Sequence, residues 1–173
     1  MYLRCATMSR FDKNTFLRAG LCLVWIAGLS LGFYAARLYG DALCASVLLA
    51  PGQTPTFWGA LSVNVLPLLI SACAVFFLRT MLFPICFFRA LYVGLGLGAM
   101  VSVYSSAGWM MSGLLMFGAL VFSPVLLWYW CSCLEHGRDS IRQDTFVCLG
   151  IGLVIALADL WMVSPFVREV INF

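Results

Sequence analysis

Charged residues are scarce in this chain, and long stretches of it carry none. Asp, Glu, Lys and Arg make up 10% of the 173 residues, whereas 64% of the residues are hydrophobic. A soluble domain usually has about 25% charged residues and at most about half apolar ones. The composition therefore excludes an ordinary soluble domain, because too few polar side chains are present to cover a surface that faces water.

The chain also lacks the residue patterns of most catalytic sites. Its one histidine, His136, lies in a segment rich in charged residues, and no apolar stretch contains a pair of carboxylates. The Gly-x-Ser-x-Gly nucleophile motif is absent. The glycine-rich run 94–98 is not followed by the Lys and Ser or Thr of a phosphate-binding loop. We therefore expect a protein that is not an enzyme.

Eight cysteines are present, which in a small secreted protein would indicate a disulfide framework. Most of them lie within apolar runs, where cysteine packs as a small hydrophobic residue. The group Cys131, Cys133, Glu135 and His136 resembles a metal cluster, but zinc sites space their thiolates by two to four residues and add a second pair of ligands. We expect no metal site and no cofactor.

Apolar stretches long enough to cross a bilayer dominate the sequence. A helix of about 20 apolar residues spans the hydrocarbon core. Spanning segments must satisfy their own backbone hydrogen bonds, and the alternation typical of barrel strands is absent. The sequence therefore predicts an all-α membrane helix bundle with about five transmembrane helices in one membrane domain, residues 16–173, after a cytoplasmic tail, residues 1–15. The predicted helices cover residues 16–38, 57–78, 81–105, 108–130 and 145–163.

Prolines predict irregular backbone at two places. Asn64 lies one turn before Pro67, and its amide can bond the carbonyl that the proline leaves unpaired in a kinked second helix. Pro84 interrupts the start of the third helix, which favours a re-entrant or surface-lying turn over residues 80–88. Residues 39–56 are predicted to form an external loop with an apolar middle that lies on the membrane.

Basic residues indicate the orientation. With the amino terminus inside, eight of the ten Lys and Arg lie on the inner side, and only Arg37 and Arg168 lie outside. The net charge of +3 is spread over the tail and connections, which indicates membrane orientation and not nucleic-acid binding. We expect a bacterial inner-membrane protein with a cytoplasmic amino terminus and an external carboxyl terminus.

Small residues recur at the spacing of one helix face. Gly28 and Gly32 lie in the first predicted helix, and Ala90, Gly94 and Gly98 lie in the third. Such residues let helix backbones approach closely in lipid. They predict helix packing, either within the chain or across the seam of an oligomer.

Three polar residues lie within apolar segments: Asn64, Arg89 and Asp159. A charge at mid-membrane costs about 2.5 kcal/mol or more, so each is a candidate functional group. Asp159 has two alternatives, an interfacial position or a pair with Arg168. Arg89 is expected to lie at the cytoplasmic headgroup level and hold the Pro84 turn. The alternative places Arg89 deeper, facing a cavity, with an acid as its partner.

The pattern of apolar spans and small residues in this chain resembles one known family. The segment Ile26–Tyr34 (IAGLSLGFY), the proline-bearing second span and the segment Phe87–Gly98 (FFRALYVGLGLG) resemble stage II sporulation protein M over roughly residues 21–134. That family usually has Lys-Gly where this chain has Arg89-Ala90. The resemblance implies a membrane scaffold that docks cell-wall hydrolases or other envelope proteins during sporulation.

Two functions therefore stay open at this point. The first is a scaffold that docks partner proteins, favoured where no polar groups line a path through the membrane. The second is a transporter subunit or small-solute binding component that uses Asn64, Arg89 and Asp159 as the polar groups of a cavity. Discontinuous helices within the membrane would favour the second.

The charge asymmetry generates a topology prediction. Reporter fusions after Asn14 and within residues 135–142 should report the cytoplasm, because these segments carry the basic residues. Fusions within residues 41–54 and after Phe173 should report the outside. A cytoplasmic carboxyl terminus would contradict the count of five spans.

Overall fold

The structure, a computed structural model, describes residues 2–47, 57–136 and 138–171. Within these ranges it contains α-helices and one turn of 3-10 helix, and no strand. This confirms the predicted all-α bundle of five helices. In chain order they are α1 (Tyr2–Val47), α2 (Phe57–Phe77), α3 (Leu82–Leu115), α4 (Phe117–His136) and α5 (Arg138–Ile171), and the 3-10 turn, Arg79–Met81, joins α2 to α3.

Three helical segments in the described part of the chain are long and apolar enough to cross a membrane. They are Thr15–Tyr39, Arg79–Ser102 and Phe117–Glu135, and a shorter apolar segment, Asn64–Val75, lies in α2. Large apolar side chains on the outside of the bundle are exposed, Trp161 by 85%. Such a surface is stable against hydrocarbon and not against water, so the chain is a membrane protein that associates with the lipid bilayer.

The first and last helices are longer than predicted. α1 includes residues 2–15, expected as a tail, and residues 39–47, expected as the start of a loop. α5 begins at Arg138 and continues to Ile171, past both predicted limits. A glycine inside a helix costs only about 1 kcal/mol, so Gly40 does not end α1, and the first proline of the chain is Pro51. The remainder of the predicted loop, residues 48–56, lies outside the described residues.

The third helix has a regular start instead of a re-entrant turn. Leu78 donates its N–H to the Ala74 carbonyl at 2.9 Å, and Met81 donates to Leu78 at 3.0 Å, so the 3-10 turn closes the connection. Pro84 is the third residue of α3. A proline in the first turn of a helix removes an N–H that would have no partner there, so Pro84 is compatible with the start of α3 and does not break it.

The connection between α3 and α4 lies later than the predicted break at residues 106–107. The helix continues to Leu115, and the break falls at Met116. In a straight helix Met116 would lie about 30 Å from Gly96. Its side chain instead contacts Gly96, and Trp109 stacks on Phe33 of α1 with ring centroids 5.9 Å apart. α3 therefore bends sharply, and its last turns fold back towards Gly96.

α1 and α3 run parallel and form the most extensive helix pair. A Cβ atom at Gly28 would lie 2.6 Å from the Phe87 carbonyl oxygen, and one at Gly98 would lie 2.7 Å from the Phe33 carbonyl oxygen. Gly32 and Gly94 meet the opposite backbone in the same way. The structure thus places the predicted small residues in a contact within the chain, which we call the α1–α3 seam (Gly28, Gly32, Ala90, Gly94 and Gly98).

The other helices form a second group, in which α5 packs against α2 and α4. Polar contacts gather Arg18 of α1, the end of α4 and the start of α5 at one end of the bundle. Arg18 forms an ion pair with Glu135, and Ser132 donates to Asp144 at 2.5 Å. Together with the Trp25–Trp130 and Gly118–Asp159 contacts, these pairs show that α4 runs antiparallel to α1 and to α5.

The seam generates a stability prediction with a matched control. Gly94→Ala and Gly98→Ala should each lower the free energy of unfolding by about 1 to 3 kcal/mol, because the new methyl groups would force two backbones apart. No described atom lies within 4 Å of a Cβ at Gly150. Gly150→Ala should therefore be neutral or stabilising by up to about 1 kcal/mol. Thermal unfolding in detergent measures all three, and equal stability would show that the seam is not in close contact.

Candidate functional site

Arg89 is buried inside the bundle, with 6% of its surface exposed. It lies near the middle of the apolar segment Arg79–Ser102. A guanidinium at this depth costs at least about 2.5 kcal/mol unless other groups compensate for the lost water. The surroundings of Arg89 are therefore a candidate functional site.

One amide side chain and one aromatic ring contact the Arg89 guanidinium. Its Nη2 donates a long hydrogen bond of 3.5 Å to Oδ1 of Asn64, which is 1% exposed. Its Cζ lies 5.9 Å from the centroid of the Tyr92 ring, within the range of a cation–π contact. The Asn64 amide was expected to bond the carbonyl freed by Pro67. In the structure the amide oxygen accepts a hydrogen bond from Arg89.

Asp159 lies against the beginning of α4. Its Oδ1 accepts a hydrogen bond of 3.3 Å from the backbone N–H of Gly118, the second residue of that helix. The first N–H groups of a helix have no partner within it, and the helix dipole makes this end attractive to an anion. Asp159, which is half-buried on α5, thus caps a neighbouring helix.

Gly118 also joins Asp159 to Asn64. The position of a Cβ on Gly118 is 2.7 Å from Oδ2 of Asp159 and 3.3 Å from Nδ2 of Asn64. The carboxylate and the amide therefore converge on the same small residue, and a larger side chain would separate them. The three polar candidates from the sequence form one group, which we call the polar cluster (Asn64, Arg89, Asp159 and the Gly118 N–H).

Arg89 was expected at the headgroup level, and in the structure its side chain is buried inside the bundle. The α1–α3 seam turns Ala90 and Gly94 towards α1, so Arg89 faces α2 and the bundle interior. The alternative, a position beside a cavity with an acid as partner, is closer to the structure, which places Asn64 against the guanidinium and Asp159 near the amide of Asn64 at Gly118. The expected pair of Asp159 with Arg168 involves the Arg168 side chain, which is not among the side chains that the structure describes.

A groove between α2 and α3 reaches Arg89 from the outer surface of the bundle. Its volume is ≈ 460 Å³, within the usual range of small-ligand sites. Leu66, Ile70, Phe88 and Tyr92 form its exposed walls, and Arg89 lies at its floor. We call this feature the α2–α3 groove.

Other buried polar groups are satisfied by local or interhelical hydrogen bonds. Ser71 donates to the Pro67 carbonyl at 2.6 Å and accepts from Nε1 of Trp130 at 2.7 Å. Ser123 donates to the Ala119 carbonyl at 2.6 Å. The described cysteines are free thiols, and the described residues hold no group of three or more metal-ligating side chains. These features are structural, and they leave the polar cluster as the site candidate.

Two members of the site were not singled out from the sequence. Tyr92 follows Arg89 by three residues, a spacing that places both side chains on one helix face and could have indicated the contact. Gly118 had no comparable signal, because its role depends on the break at Met116.

Comparisons with known protein families, curated proteins and solved structures find no match to this chain. The polar cluster and the α2–α3 groove are thus the features that bear on function.

The contact between Asn64 and Arg89 generates a double-mutant prediction. Asn64→Leu should destabilise the protein by about 3 kcal/mol, because it removes an acceptor from a buried charge. Adding Arg89→Met should restore part of that loss, since the charge is then gone as well. Unfolding of the two single variants and the double variant in detergent measures the coupling. Additive losses would contradict an energetic link between these residues.

Proposed function

We propose that this chain is a non-enzymatic component of a bacterial inner membrane that binds a small solute, alone or as a transporter subunit. The observation that carries the proposal is the burial of Arg89 next to Asn64, with Asp159 behind it. Ionisable residues kept within a membrane usually mark a pathway or a binding site. Here they come from α2, α3 and α5 and meet the start of α4, so a bound solute would contact or influence four helices.

The break between α3 and α4 supports the same function. Met116 contacts Gly96 in the last turns of the apolar segment Arg79–Ser102, so the next apolar segment, Phe117–Glu135, begins beside them. The first N–H groups of α4 consequently point into the bundle beside the polar cluster. Helix N-termini that point at buried polar groups also occur at the binding sites of solute transporters.

A scaffold is the competing function, and the resemblance to stage II sporulation protein M stays a prediction. The main argument for a scaffold was the absence of polar groups along a path through the membrane. The polar cluster supplies such groups. The small residues that could form a docking face are occupied in the α1–α3 seam. The geometry therefore favours solute binding over docking of cell-wall hydrolases.

The experiment is the identification of small molecules that co-purify with the protein in mild detergent. Mass spectrometry of extracts should find a solute retained by the wild type and reduced at least about tenfold in Arg89→Met, the usual effect of removing one charge-assisted hydrogen bond. The control is Arg37→Met, which removes the same charge from an exposed position on α1.

Both variants must elute as monodisperse protein, so that loss of solute is not loss of fold. Equal solute content in wild type and Arg89→Met, or no retained solute in either, would contradict the proposal. Specific retention of a cell-wall hydrolase by all three proteins would favour the scaffold.

A further inference from the structure

The walls of the α2–α3 groove are apolar along almost their whole length. Leu66, Pro67 and Ile70 line it from α2, and Ile85 and Phe88 line it from α3. Phe88 is 65% exposed and Leu66 is 54% exposed, so the groove opens sideways on the surface that faces lipid. A ligand of this groove therefore has a predominantly apolar body and enters from the bilayer.

The floor of the groove has the opposite character. Arg89 lines the groove there, with its Cζ 5.9 Å from the centroid of the Tyr92 ring, and Ser62 lines it at the same end. A guanidinium carries five N–H donors in a planar fork that matches the two oxygens of a carboxyl group. Charge complementarity thus calls for one acidic oxygen-bearing group on the apolar body.

The depth of Arg89 selects among acidic amphiphiles. Arg89 lies near the middle of the segment Arg79–Ser102. The charged headgroup of a phospholipid does not reach this depth without a large cost, because it is held at the interface. A single-chain carboxylic acid can cross hydrocarbon in its neutral form, since burial favours the uncharged state of a carboxyl group.

We propose that the α2–α3 groove binds a membrane-dissolved, single-chain carboxylic acid, with its carboxyl group at Arg89 and its chain along Leu66, Ile70 and Phe88. This inference rests on the proposed function and names the class of its solute. Asn64 positions the guanidinium by accepting a hydrogen bond from it, and the seam side of α3 keeps Arg89 turned to the groove.

The test uses a photoactivatable palmitic acid analogue with a diazirine in its chain. The full-length protein is reconstituted in phosphatidylcholine nanodiscs, irradiated, digested and mapped by mass spectrometry. Labels should fall within residues 62–70 and 85–92. Unlabelled oleic acid should reduce labelling at least about tenfold relative to oleyl alcohol, which has the same chain and no acidic group.

Arg89→Met should lower the labelling of these two segments by a similar factor, and Arg37→Met should not. The competition experiment needs no variant, so it remains decisive if Arg89→Met fails to fold. Equal competition by the acid and the alcohol would show that the groove holds acyl chains without selecting a carboxyl group, and would overturn the inference.

The two proposals fail differently. An Arg89-dependent solute that proves to be a water-soluble anion or a phospholipid would overturn the carboxylic acid and leave solute binding intact. Absence of any Arg89-dependent solute would overturn both.

Discussion

Close contact between the backbones of α1 and α3 is the constraint on which the rest of the bundle depends. Lipid is as apolar as a leucine side chain, so burying apolar surface gives helices little reason to associate, and packing between small residues supplies the attraction. Gly28 and Gly98 let carbonyl groups of the opposite helix approach to where a Cβ would stand. Because Ala90 and Gly94 must face α1, the rotation of α3 about its axis is fixed. That rotation turns Arg89 away from lipid and towards Asn64.

The polar cluster shows how a membrane bundle accommodates buried polar and charged groups by bringing them together. Asn64 is both acceptor and donor, so its oxygen can face Arg89 while its amide nitrogen lies near the Asp159 carboxylate at Gly118. Asp159 is in turn stabilised by an N–H at the positive end of α4. Each of the three groups is expensive in lipid by itself, and each lowers the cost of the next.

The number and type of helices followed from the sequence because hydrophobic length is set by bilayer thickness, and the small-residue spacing followed because close packing in lipid needs it. Helix limits were less accurate. Nothing in residues 39–47 removes a backbone N–H, so α1 continues through them. Ala107 and Gly108 can both lie inside a helix, so the break predicted there does not end α3. The inward position of Arg89 required the rotation of α3, which one sequence does not specify. Gly118 entered the site only because the chain folds back at Met116.

Neutral hydrogen bonds join three of the four helices that meet at the polar cluster. Trp130 to Ser71 links α4 to α2 at 2.7 Å, and the Tyr129 and Thr145 hydroxyls link α4 to α5 at 2.9 Å. Arg89 lies on α3, which neither of these hydrogen bonds reaches. A buried charge adds little to such contacts, since apolar replacements of buried ion pairs are often neutral or stabilising. Arg89 also lies at the floor of an open groove and not in the closed core around Phe122 and Trp130. A buried charge beside a groove that opens towards lipid is the feature on which the proposed ligand site rests.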